Sequence, residues 1–156
     1  MSADQHRFVS ADRRVREDRR FVAGKGRFVA DIDLPDTKHV ALLTCPHAAA
    51  RIISIDKRAA LAVPGVHRVY TWQDVPRRRF TTAIHTDHLV DPDDTFILDD
   101  TMRFAGQRVA AVLADTAGAA EEGCRRLAVD YEVLPAVFDP DAAMADGAPQ
   151  LHGCED

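Results

Sequence analysis

Apolar residues recur in short runs along the chain, and the spacing within each run predicts its element. His39 to Asp56 reads HVALLTCPHAAARIISID, two apolar runs at Val40–Thr44 and Arg51–Ile55 joined by a Cys-Pro-His-Ala turn. Val40, Ala41, Leu42 and Leu43 are continuously apolar, the pattern of a strand covered on both faces. Pro46 has no N–H to give a ladder, so the first strand should stop there. The two runs predict a central strand pair on which the remaining elements pack.

The flanking segments alternate between the strand and helix periods. Arg27–Ile32 reads as a strand, and Val66–Thr71 sets Val66, Arg68 and Tyr70 against His67, Val69 and Thr71. Between Asp56 and Pro64-Gly65 lies Lys57–Val63, a short helix with Asp56 as its cap. Met102–Phe104 and Arg108–Ala114 read as strands around the Ala105-Gly106 turn. Thr116–Leu127 is an amphipathic helix with Ala117, Ala120, Cys124 and Leu127 on one face. Glu121/Arg125 and Glu122/Arg126 are spaced as i,i+4 pairs on it. Gly118 and Gly123 each weaken this helix by about 1 kcal/mol relative to Ala, which close packing on a sheet would account for. Ala128–Tyr131 is a further strand, and Asp139-Pro140 caps a last short helix through Met144.

Two strand–helix–strand units result, and they predict an α+β fold with a mixed sheet and helices packed on one face. Ile53, Ile55, Val69, Val109, Val112 and Leu127 are the expected core. The organisation reads as a basic N-terminal arm over 1–20, one domain over 21–146, and an acidic tail over 147–156. The arm is polar and aperiodic, and is expected to be extended.

Composition narrows the function classes. The 156 residues suffice for one domain with a real core. No apolar run approaches the roughly 20 residues that span a bilayer, and MSADQHRFVS has no apolar h-region. The three cysteines, Cys45, Cys124 and Cys154, form no CxxC pair, which fits reduced thiols in a cytoplasmic protein. Residues 1–30 hold eight basic and four acidic residues, a net +4. The remaining 126 residues, with 12 basic and 21 acidic groups, carry −9. An acidic body argues against nucleic acid as the main partner, and the arm lacks the aromatic spacing of a nucleic-acid binder. A solvated or partner-docked arm suits it better.

Candidate chemistry is sparse. Gly24-Lys25-Gly26 lacks the third glycine and following helix of a phosphate cradle, and reads as a turn. The Pro76–Asp100 stretch holds Arg77-Arg78-Arg79, His85, His88, Asp91, Asp93 and Asp94, and is expected to be a long mobile loop. His85 and His88 beside carboxylates could hold a metal, but nothing places them on one rigid helix face. Cys45 and His47 flank Pro46 in a turn, where adjacency does not supply nucleophile–base geometry, and a buried structural Cys45 is favoured.

Seven short signatures stand in order along the chain. They are Arg16–Phe21 (REDRRF), Gly24–Ile32 (GKGRFVADI), Cys45–Ile52 (CPHAAARI), Pro64–Val66 (PGV), Phe104–Val112 (FAGQRVAAV), Val129–Val137 (VDYEVLPAV) and Gly147–His152 (GAPQLH). In this order, from about Arg14 to His152, the chain resembles the N-terminal a/b hammerhead domain of the molybdenum-binding large subunit of the xanthine dehydrogenase/aldehyde oxidase family. Its opening signature is most similar to the carbon monoxide dehydrogenase-like branch. Cys45 stands where the family usually has Ser, and Arg108 where it often has Pro or an apolar residue.

The resemblance implies a domain that ligates no metal itself, with no catalytic, cofactor-binding or metal residues in this chain. Molybdopterin cytosine dinucleotide, a 2Fe–2S cluster and, as an optional third cofactor, FAD are expected in partner subunits. The implied partners are a molybdopterin-binding subunit, an iron–sulfur subunit and an optional flavin subunit, with neither nucleic acid nor membrane. The implied role is the non-catalytic hammerhead subunit of a split molybdenum hydroxylase that acts on an aldehyde or N-heterocycle. The alternative is a free-standing hammerhead interaction module without a redox partner. Arg16, Arg19, Arg20, Phe21, Pro46, His47, Gly106 and Gln107 are the expected partner-interface residues.

Overall fold

Arg108–Ala114 (β5) is the strand around which the domain closes. Val109, Ala110, Val112 and Ala114 are wholly buried in it, and its small alanines leave room for a helix to lie close. The computed structural model describes residues 18–32, 34–82 and 93–151. The chain divides into two compact units, Met1–Pro35 and Asp36–Asp156.

The larger unit holds six strands in two three-stranded sheets. One has the order β1-β5-β3, with β1 at His39–Thr44 and β3 at Val66–Tyr70. The other has the order β4-β2-β6, with β2 at Ala50–Asp56, β4 at Thr101–Met102 and β6 at Ala128–Val133. Every described strand pair is antiparallel. The α+β hammerhead class therefore stands, while the single mixed sheet is replaced by two antiparallel ones.

Both strand–helix–strand units exist in the element order, but each passes from one sheet to the other. Arg58–Leu61 (α2) links β2 to β3, and Ala117–Arg125 (α3) links β5 to β6. Both helices lie against the β1-β5-β3 sheet. Asp56 Oδ1 accepts from the Arg58 amide (2.9 Å) to start α2, and Gly65 at φ 84° turns the chain after it. Thr116 caps α3 by accepting from Ala119 N, and Asp139 caps Pro140–Ala143 (α4) by accepting from Ala142 N. Glu122, not Glu121, carries the helix-surface pairs, reaching Arg125 at 2.9 Å and Arg126 at 2.6 Å.

The expected central pair is not a hairpin. After Thr44 the Cys45 backbone continues toward Gly106-Gln107, donating to Gln107 O and accepting from Gly106 N, both at 2.8 Å. That turn sends β2 into the other sheet. It leaves β1 as an edge strand, with Val40 59% and Leu42 51% exposed. The expected core splits similarly. Val69, Val109 and Val112 are buried, and Ile55 and Leu127 are half-buried against them. Ile53 is 56% exposed because strand alternation from buried Ala50 and Ile52 turns it outward, and the register shift between Ile52 and Ser54 then brings Ile55 back against the core.

In the smaller unit, Asp18–Val22 (α1) replaces the end of the extended arm. Gly24 at φ 68° closes it, with Lys25 N donating to Arg20 O and Gly24 N to Phe21 O, the two bonds of a Schellman cap. Gly24-Lys25-Gly26 is thus a helix stop. The Arg27–Ile32 strand is absent; a 3-10 turn at Val29–Asp31 forms instead, held locally by Asp31 Oδ2 accepting from Phe28 N at 2.9 Å.

Candidate interface site

Asp99 organises the surface that carries four of the expected interface residues. Its side chain is 2% exposed and joins Arg77 (2.9 Å) on one oxygen to Arg103 (2.8 Å) on the other. Burial pushes this carboxyl up, but the hydrogen bonds from Arg103 and Arg77 outweigh it and hold the group below the usual carboxylate range. The same Arg77 lies 4.1 Å from the centroid of Phe96. Phe80 and Thr95 exchange backbone hydrogen bonds at 2.8 and 3.1 Å. The two ends of the Pro76–Asp100 stretch are therefore clamped together, where a wholly mobile loop was expected. His85 and His88 lie outside the described residues.

Gln107 fixes the neighbouring turn through both ends of its amide. Its Oε1 accepts from Arg103 N (2.7 Å) and its Nε2 donates to Thr101 O (2.9 Å). Arg103 Nε donates in turn to Leu151 O at 2.7 Å. A cavity of about 580 Å3 opens beside this turn, walled by Phe96, Arg103, Phe104, Gln107, Arg108 and Leu151.

The Cys45 backbone pair brings Pro46 and His47 to the same turn as Gly106 and Gln107. Pro46 and Gly106 are exposed, and His47 and Gln107 are half-buried. Cys45 itself is 2% exposed in the core. Its sulfur meets the backbone of His47, while the His47 ring packs edge-on against Tyr131 at 5.1 Å. The Cys–His pair accordingly has no nucleophile–base geometry. Burial, then the adjacent Cys45 thiol, pushes the Tyr131 hydroxyl up to about 12.

The remaining expected interface residues belong to the smaller unit. Arg19, Arg20 and Phe21 lie on α1, and Arg16 lies outside the described residues. Phe21 stacks on Phe28 with centroids 5.3 Å apart, whereas Val22 is 89% exposed. Asp99, Arg77 and Arg103 were not singled out from sequence as a site. Arg77 was visible within an arginine run, but no local spacing ties it to an acid 22 positions away.

Among the described residues, no three His, Cys, Asp or Glu side chains group as a metal site. The donors among the described residues do not fit a protein-ligated iron–sulfur cluster or metal ion. Among the same residues no helix is long and apolar enough to cross a membrane.

Residues 23–135 match the family described as aldehyde oxidase and xanthine dehydrogenase, a/b hammerhead domain. The carbon monoxide dehydrogenase large chain of Hydrogenophaga pseudoflava is 38% identical over 139 residues, covering 88% of this chain and 17% of that one. The nicotine 6-hydroxylase large subunit of Paenarthrobacter nicotinovorans is 30% identical over 141 residues, again 88% against 17%. Among solved structures, the aldehyde oxidoreductase from Desulfovibrio gigas superposes with a TM-score of 0.73 at 32% identity, over 85% of this chain and 15% of that one. The chain spans less than a fifth of the length of each of these relatives. On this match the chain belongs to the a/b hammerhead domain family of aldehyde oxidases and xanthine dehydrogenases.

Proposed function

We propose that this chain is the non-catalytic hammerhead of a cytoplasmic molybdenum hydroxylase of the xanthine dehydrogenase/aldehyde oxidase family. In this reading it holds molybdopterin-binding and iron–sulfur polypeptides together, with a flavin polypeptide as an optional third, for the oxidative hydroxylation of an aldehyde or N-heterocycle. The observation that carries the reading is similarity along 88% of this chain to large chains of which it forms 17%. Docking would use Arg16, Arg19, Arg20 and Phe21 near the N-terminus, and Pro46, His47, Gly106 and Gln107 on the body.

The test is affinity purification of the tagged chain from its native host, with metal analysis. The expected result is co-purified polypeptides carrying molybdenum and iron, and a released chain carrying neither. Recovery of the chain alone would favour a free-standing interaction module. Molybdenum or iron near one per isolated chain would overturn the scaffolding role. Deleting residues 2–20 should reduce co-purification; unchanged recovery and activity would remove the arm from the interface.

A further inference from the structure

Three arginines crowd the Thr101–Arg108 turn, and one of them has no countercharge among the described residues. Arg77 and Arg103 share Asp99. Arg108 is half-buried, lines the 580 Å3 cavity, and makes no ion pair among the described residues. Its guanidinium lies over the Phe80 ring, 5.8 Å from the centroid. The acid in the cavity wall, Asp94, is exposed and accepts from the Thr95 hydroxyl at 2.9 Å. A partly desolvated guanidinium without an anion is costly, and its planar fork suits a carboxylate.

Apolar side chains stand beside the polar ones in the cavity wall. Phe104 is 58% exposed and Leu151 48% exposed at its rim, and half-buried Phe96 adds a third wall. The amide of Gln107 is consumed by Thr101 and Arg103, so it shapes the wall and leaves Arg108 as the cation for an incoming group. We propose that this cavity receives an Asp or Glu side chain of the partner polypeptide, with Arg108 as its anchor and Phe104 and Leu151 covered by the apolar residues beside that acid. A partner segment fits better than a free small acid, because a small acid would leave the rim residues in water. The assignment of the occupant rests on the proposed function; the chemistry of the cavity does not.

Two measurements separate those parts. In the first, the full chain is titrated with benzoate and, separately, with neutral benzamide, and amide shifts are followed by NMR. Benzoate alone should move Phe96, Phe104, Gln107 and Arg108. Arg108→Gln should weaken its binding about tenfold or more, and Arg108→Lys, which keeps the charge, should weaken it less. An equal response to benzamide, or unchanged benzoate binding by Arg108→Gln with an unchanged Tm, overturns the site. In the second, Arg108→Glu should lower recovery of the molybdenum-containing partner by about tenfold or more. Unchanged recovery overturns the partner as occupant even if benzoate binds. If wild-type chain recovers no such partner, the functional reading and this occupant fail together, while the benzoate result still decides whether the cavity takes a carboxylate.

Discussion

Gly123 of α3 lies so close to Val112 of β5 that a Cβ on it would sit 2.7 Å from Val112 Cγ1 and 3.2 Å from Val66 Cγ2. The neighbours are β-branched and stiff, and Val112 is fully buried, so neither can yield without moving the sheet. Gly123→Ala should therefore destabilise the domain by about 1–3 kcal/mol despite the better helix propensity of Ala. Gly118 on the same helix has nothing within 4 Å of such a Cβ, and Gly118→Ala should stabilise by up to about 1 kcal/mol. Urea unfolding of the two variants checks the opposite signs.

Adjacent isoleucines in β2 should respond unequally. Ile52 is 4% exposed in the core, and Ile53, at the bulge, is 56% exposed. Ile52→Ala should cost about 2–5 kcal/mol, and Ile53→Ala no more than about 0.5 kcal/mol. Equal losses would mean that the bulge is not where the register places it.

Acid should unlock the Asp99 node. Its folded pKa lies below the unfolded one, so the unfolded chain takes up the proton first as pH falls. The stabilisation is complete above the unfolded value of about pH 4 and is lost as pH drops through the folded value. Asp99→Asn should lower stability at pH 7 by about 1–3 kcal/mol, a range discounted because Arg77 is half exposed. It should also flatten the decline in stability between about pH 4 and pH 2. Chemical unfolding across pH 2–7 reads both effects.

Gln107 serves the turn through both amide atoms. Gln107→Glu keeps the acceptor for Arg103 N and turns a carboxylate oxygen toward Thr101 O, where a donor is needed. A loss of about 1–3 kcal/mol is expected, with faster hydrogen exchange at Arg103. A stability unchanged from wild type would show that the turn does not depend on this side chain.

The elements legible in the sequence were those whose signals are local. The continuous run of β5, the α3 face with its Thr116 cap, and the Asp139-Pro140 start of α4 need only neighbours a few residues away. Sheet membership was not legible, because the Cys45 turn is set by backbone bonds to Gly106 and Gln107, far along the chain. Apolar runs misled where bonding overrode them. Phe28 and Val29 are 64% and 86% exposed on a turn that Asp31 holds in place, and Ile53 faces outward by strand alternation from buried Ile52. At the site, Pro46, His47, Gly106 and Gln107 were named from motifs, and the structure brings their two turns together. The arginine–aspartate node and the cavity beside it required the fold, since Arg77 reaches Asp99 from 22 positions away, beside the Phe80–Thr95 bridge.

The sheet orders have a consequence for how the domain comes into being. Each pairing joins one of the first three strands to one of the last three: β1 and β3 to β5, and β2 to β4 and β6. Neither half of the larger unit contains a single strand pair of its own. During synthesis the segment through Tyr70 has no ladder to enter until Thr101–Met102 has emerged, and the long closure makes for slow folding. A cut between Phe80 and Thr95 would separate all partners at once. The two fragments should be unstructured apart and should regain the fold only on mixing, so that the hammerhead is assembled by complementation rather than as two modules.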